Sequence, residues 1–159
     1  MTIAVGASIP ALKLKTPSAK GPADINTADI FTGKKVVLFA VPGAFTPTCS
    51  ETHLPGFVVN APAIKAKGVD TIVCMSVNDA FVMGAWGKSQ NAEDILMLAD
   101  GNADFARALG LELDAAGFGM GTRSKRFAMI VDNGVVTHLA VDGVSLDKSS
   151  AEAILLALG

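Results

Sequence analysis

Val36-Val37-Leu38-Phe39-Ala40-Val41, continued by Pro42-Gly43-Ala44-Phe45-Thr46-Pro47-Thr48-Cys49, is the stretch whose reading decides the fold. Its first half is a short apolar run of β-formers, led in by Lys34-Lys35 and closed by a Pro-Gly turn, which predicts a buried central strand. From Thr46-Pro47 the spacing predicts a helix, because proline suits an early helical position. A cysteine therefore falls in the first turn of a helix that directly follows a central strand. Unpaired N–H groups and the positive end of the helix dipole favour an anion at that place. The anion a cysteine offers is its thiolate, the reactive form.

Working outward, Ala11 to Lys15 alternates like a half-buried strand, and Thr16 to Pro22 reads as a surface loop. Thr71 to Val77 is a second central strand, and Asn78 and Asp79 are N-caps for a helix over Ala80 to Lys88. In that helix Phe81, Val82, Ala85 and Trp86 are expected to share a face. Ile95 to Ala99 is a third strand, and Asp100-Gly101-Asn102 turns into a helix over Ala103 to Leu109. Arg126 to Val131 and Val135 to Leu139 flank Asp132-Asn133-Gly134, a hairpin signal. Ser149-Ser150-Ala151-Glu152 reads as a capping box that opens Ala153 to Leu158. Parallel strand–helix–strand units followed by an antiparallel hairpin and a closing helix give an α/β class. The arrangement expected is the thioredoxin fold, a central mixed β-sheet flanked by helices, in a single domain over residues 1–159.

Composition bounds what such a domain can do. The chain has 159 residues, half of them hydrophobic, with a formal net charge of −2. Its mean hydropathy is +0.45, but the longest nearly unbroken apolar stretch, Val36 to Phe45, falls well short of the roughly 20 residues needed to span a bilayer. No Lys/Arg stripe, one Trp and no Tyr argue against a nucleic-acid partner. Two cysteines make no disulfide framework and suit a reducing, cytoplasmic setting, although a processed organellar form would look the same. Two histidines without a Cys/His cluster argue against a metal site, and no cofactor is expected.

The motif itself departs from Cys-x-x-Cys. With Thr46 in place of the first cysteine, Cys49 has no neighbouring thiol to resolve a mixed disulfide. A threonine hydroxyl can instead both donate to and accept from a small oxygen ligand. Pro42-x-x-x-Thr46-x-x-Cys49 resembles the active-site signature of the peroxiredoxins. The run Val41 to Phe57, together with Val77 to Met83 and Gly121 to Phe127, is similar to their type II or fifth subfamily.

The resemblance implies a thiol peroxidase acting on hydrogen peroxide and organic hydroperoxides. Cys49 would be the nucleophile that becomes a sulfenic acid, Thr46 would bind the peroxide, and Pro42 would shield the site from water. Arg123 would fix the thiolate and the developing oxygen charge, with Arg126 of the same basic cluster as the alternative. Such donors, with the Cys49 N–H, are aimed at charge before it develops. His53 is read as a packing or hydrogen-bonding residue and not as a base, and Glu51 as part of a solvated helix face. Cys74, mid-strand, is either structural or a resolving cysteine that needs local unfolding. No cysteine follows it, so the expected reductant is external, glutaredoxin with glutathione or thioredoxin. Phe45 and Phe118 are expected near the site as a homodimer surface or an entry for organic hydroperoxides, and Phe81 and Trp86 as core or subunit contact. A non-enzymatic redox sensor or relay, passing oxidation to a partner protein, is the competing reading.

Overall fold

In the computed structural model, residues 1–143 and 145–159 are described. The chain opens with a hairpin of strands β1 (Lys13–Ser18) and β2 (Gly21–Asn26). Residues 16–22, expected as a loop, are the turn end of this hairpin. Pro17 faces Pro22 across the pair, Gly21 turns at φ +100°, and β2 lies at the sheet edge, where proline is tolerated. A short helix α1 (Thr27–Phe31) leads into strand β3 (Lys35–Val41), whose residues from Val36 onward are all buried.

The helix after the Pro42–Thr46 turn starts at Pro47 and widens into a π turn over Cys49–His53. It then runs on as α2 (Leu54–Ala66). Pro55 has no N–H to give the Glu51 carbonyl, so an α-helical ladder is interrupted there, and the Leu54 N–H bonds back to Cys49.

Strand β4 (Thr71–Ser76), helix α3 (Ala80–Ser89) and strand β5 (Leu96–Ala99) follow, then helix α4 (Asp104–Leu109). Strands β6 (Glu112–Asp114) and β7 (Thr122–Ser124) pair as a small second sheet. Strands β8 (Arg126–Asp132) and β9 (Val135–Asp142) form the expected hairpin, with Asn133 and Gly134 both at positive φ, and helix α5 (Ala151–Leu158) closes the chain.

The main sheet runs β2-β1-β5-β4-β3-β8-β9, with β3, β4 and β5 parallel and β8 antiparallel to β3. This is the thioredoxin-type mixed sheet, covered on both faces. One core joins Val37, Phe39 and Val41 to Leu54, Phe57 and Ile64 of α2, Met83 and Trp86 of α3, and Ile154 of α5. The other joins Val36, Leu38 and Ala40 to Phe31 of α1 and to Phe105 and Leu109 of α4. Strict alternation along β3 thus divides the molecule into two layers of packing.

Two local expectations change. The buried face of α3 is Ala80, Met83, Trp86 and Gly87, while Phe81 stands 71% exposed and Ala85 is exposed. The N-cap of α5 is Ser150, whose side chain accepts from the Ala153 N–H; Ser149 turns inward instead. Both shifts have one cause. Packing of α3 against β1 and β5, and of Ser149 against Asp142, selects the buried residues more strongly than local propensity does.

Candidate active site

The carboxyl ends of the parallel strands β3 and β4 meet at one edge, the usual place for a site in such a sheet. There the turn after β3 is held from three directions. The Ala44 N–H donates to Asn78 Oδ1 at 3.0 Å, and Ser76 Oγ donates to Asn78 Oδ1 at 2.6 Å. Thr46 Oγ1 donates to the Gly43 carbonyl at 2.7 Å, which leaves its lone pairs free to accept a hydrogen bond from a ligand. Trp86 Nε1 donates to Ser50 Oγ at 2.9 Å and fastens the start of the helix to α3. Phe45 takes a left-handed φ of 64°, which throws its ring outward to 56% exposure. Pro42 is half-buried at the turn.

Cys49 lies fully buried beneath this turn. Its partner is Arg126: Nη2 donates to Cys49 Sγ at 3.2 Å, and Nη1 meets His53 Nδ1 at 2.8 Å. Arg126 is only 3% exposed, and its Nε has no partner. Among the described residues the ion pairs are those of Lys13 and Lys15 with Asp24, so no carboxylate contacts this guanidinium. A buried cation needs compensating charge. Of the groups it touches, the Cys49 sulfur can carry one. The planar guanidinium thus gives one hydrogen bond to the sulfur and the other to the imidazole.

The expectation for Arg123 is corrected at this point. The guanidinium at Cys49 is that of Arg126, because β8 alternates and Arg126 lies on the same face as Ala128 and Ile130, the face that packs against Cys49. Arg123 sits on β7, donating from Nε to the Met120 carbonyl at 2.8 Å and from Nη1 to the Val77 carbonyl at 3.2 Å. A side chain at Gly43 would come within 3.2 Å of Arg123 Nη1, so Arg123 backs the turn and not the sulfur.

His53 accepts from Arg126 through Nδ1, so it has no free lone pair with which to deprotonate Cys49. Burial pushes it down to about 4, with Arg126 adding to that, against the Ser149 carbonyl and Asp142, which push it up. Glu51 is exposed. Cys74 is fully buried in β4, in the same core as Cys49, and both thiols are free. Burial, and secondarily the neighbouring Cys49, pushes the Cys74 thiol well up, which leaves it a poor nucleophile in place. His53 is a hydrogen-bonding residue, as expected, whereas the roles of Ser76 and Asn78 were not visible as a motif, since they reach Val41 and Ala44 across the fold. Among the described residues no group of three or more His, Cys, Asp or Glu side chains is placed to hold a metal. No helix among them is long and apolar enough to cross a membrane.

The chain is similar to known proteins over most of its length. The Redoxin family model matches residues 4–155. The chain is 50% identical to "Peroxiredoxin-2E-2, chloroplastic" of Oryza sativa subsp. japonica, over 99% of this chain and 73% of that protein. It is 52% identical to "Peroxiredoxin-2D" of Arabidopsis thaliana, over 84% of each. Among solved structures, reduced Prx3 of Vibrio vulnificus in complex with hydrogen peroxide is 60% identical, with a TM-score of 0.96, over 99% of this chain and 100% of that one. With the family matched over nearly its whole length and relatives of this identity covered over most of theirs, the chain belongs to the Redoxin family and is a peroxiredoxin, a thiol-dependent peroxidase.

Proposed function

We propose that the enzyme reduces hydrogen peroxide and organic hydroperoxides at Cys49 and is recycled by an external thiol. The Arg126 guanidinium on Cys49 Sγ carries this reading. The thiolate attacks the terminal oxygen of ROOH, the S–O bond forms as the O–O bond breaks, and the departing RO⁻ takes up a proton. Cys49 is left as a sulfenic acid. Charge grows on both oxygens during the attack, and Arg126 stands at the sulfur with Nη2 and an unpaired Nε, while Thr46 Oγ1 can accept a hydrogen bond from the peroxide O–H. Pro42 shields this exchange from water.

One thiol of the reductant then condenses with the sulfenic acid, releasing water and forming a mixed disulfide. A second thiol displaces Cys49, and the reductant leaves oxidised. Glutathione with glutaredoxin, or thioredoxin, supplies these thiols. Two observations support an external source: Cys74 is buried at the centre of β4, and no cysteine follows it. A cytoplasmic setting fits that supply.

Dimedone trapping after one equivalent of hydrogen peroxide tests the cycle in wild type, Cys49→Ser and Cys74→Ser. Rapid adduct formation that requires Cys49, with Cys74→Ser retaining at least half of its glutaredoxin-supported turnover, is the expected result. Loss of both thiols without an adduct would make Cys74 the resolving residue.

The exposed Phe45, on the turn at the site, and the exposed Phe118, at 56% and 85%, support a homodimer. Sedimentation should give twice the chain mass, and Phe45→Glu with Phe118→Glu should halve it; a wild-type monomer rejects the dimer.

A further inference from the structure

The hydrogen bonds behind Arg126 continue away from the sulfur. His53 Nδ1 meets Arg126 Nη1 at 2.8 Å, and His53 Nε2 meets the Ser149 carbonyl at 2.9 Å. A guanidinium only donates and a carbonyl only accepts. The ring is therefore neutral, with its proton on Nε2, and its tautomer is fixed from both sides. Ser149 is fully buried and is itself held, its N–H and Oγ both donating to Asp142 Oδ2 at 2.9 and 2.6 Å. Asp142 also accepts the N–H groups of Asp147 and Lys148. Asp142 is the β9 partner of Arg126 in the sheet register, yet its carboxylate serves the 147–149 backbone and is not in contact with the guanidinium. The link between them passes through the imidazole.

We propose that His53 is a positioning residue for peroxide reduction: it fixes the plane of the Arg126 guanidinium so that Nη2 stays on Cys49 Sγ, and it anchors that arrangement to the Asp142–Ser149 turn. Two rings confine the imidazole, Phe39 at 5.0 Å and Phe57 at 5.6 Å between centroids. The ionisable groups facing it are Cys49 from its own turn, Arg126 from β8 and Asp142 from the end of β9. Burial keeps the ring neutral down to about pH 4, so Nδ1 remains an acceptor above that pH. The π turn supports the arrangement, because Cys49 and His53, four residues apart, reach the same guanidinium from it. Without the imidazole, Arg126 would keep one hydrogen bond, the one to sulfur, and would be free to swing about it.

The inference rests on Cys49 being the peroxide-reactive thiol, and the test separates the two. His53→Leu removes the acceptor, while His53→Asn restores one close to the Nδ1 position. His53→Leu is expected to lower the rate of Cys49 oxidation by hydrogen peroxide about 10- to 100-fold, the scale on which supporting partners act, and to move the pH profile of Cys49 alkylation upward. His53→Asn is expected to recover most of both. The alkylation profile needs no peroxide, so it reads the His53–Arg126 link even if the wild type proves slow with peroxides. A His53→Leu protein that melts lower but keeps its rate and profile within twofold would overturn the proposal, as would equal impairment of the two variants. Imidazole ¹⁵N NMR of the wild type is the check that needs no variant. It should show the Nε2–H form at neutral pH, and the Nδ1–H form or a protonated ring would overturn the proposal.

Discussion

Arg126→Met should lower the rate constant for oxidation of Cys49 by hydrogen peroxide about 100- to 1000-fold, the range found when a fixed donor to developing negative charge is removed. Arg123→Met should cost less than about tenfold. The difference follows from where each guanidinium ends: Arg126 on Cys49 Sγ at 3.2 Å, Arg123 on two backbone carbonyls behind the Pro42–Thr46 turn. Arg126→Lys should recover little, because one ammonium cannot occupy the sulfur and the His53 nitrogen at once in the geometry of a planar fork.

Stability should move the other way. Arg126 is a buried cation with no carboxylate in contact among the described residues, and its Nε is unpaired. Replacing such a group by an apolar side chain of similar length is often neutral or stabilising. Stopped-flow oxidation alongside urea unfolding reads both quantities on one preparation. A protein that loses its rate while keeping its midpoint places Arg126 in the chemistry. Should Arg123→Met prove the slower of the two, the thiolate partner would have to be reassigned to Arg123.

The same pair of arginines shows where the sequence stops being legible. Strand β3, its turn and the cysteine after it are written in a run of β-formers, a Pro-Gly stop and a proline that suits a helix start. The structure places all three as expected, with the helix widening at Cys49–His53. The β8–β9 hairpin is equally plain in Asn133-Gly134. Choosing between Arg123 and Arg126 needed the face of β8 that points at Cys49. The alternation of Arg126, Ala128 and Ile130 against Phe127, Met129 and Val131 carries that information only in part. Both sets are buried, so no polar face marks which layer holds the site. The β1–β2 hairpin was hidden for the opposite reason, since Pro17, Gly21 and Pro22 are loop residues by propensity and an edge strand by tertiary pairing. His53, Ser149 and Asp142 are 96 and 89 residues apart along the chain at their nearest approach to His53, and only the fold joins them.

The second large effect is loss of stability in mild acid. His53 takes up a proton near pH 6.5 when unfolded but only near about 4 in the folded chain, where burial holds it neutral. Between those values the unfolded state binds more protons, so the free energy of unfolding falls as the pH falls. The difference between 6.5 and about 4, at about 1.4 kcal/mol per pH unit, comes to about 3 kcal/mol, a large share of the stability of an ordinary domain. Asp142 adds a second, lower limb. Burial alone would raise its carboxyl, but the Ser149 hydroxyl and the three backbone N–H groups outweigh that and hold it at about 2. Its contribution is present above the ordinary carboxylate value of 3.8 and is lost as the pH drops towards 2. Asp100, pushed up by burial, works in the opposite sense just above its ordinary value of 3.8, because its carboxyl is easier to protonate folded than unfolded. Urea unfolding followed by Trp86 fluorescence at a series of pH values should therefore give a curve that declines from about pH 6.5 to 4 and steepens again below. His53→Asn should flatten the upper limb and leave the lower one, while Asp142→Asn should remove the lower limb. If wild type and His53→Asn decline in parallel over the upper range, His53 is not the group being titrated. Because the imidazole of the folded chain stays neutral down to about 4, it remains the acceptor for Arg126 across the upper limb, and the folded chain keeps the guanidinium on Cys49 there. Loss of peroxide reactivity through release of Arg126 should therefore set in only as the pH falls through about 4, after the stability has already declined along the upper limb.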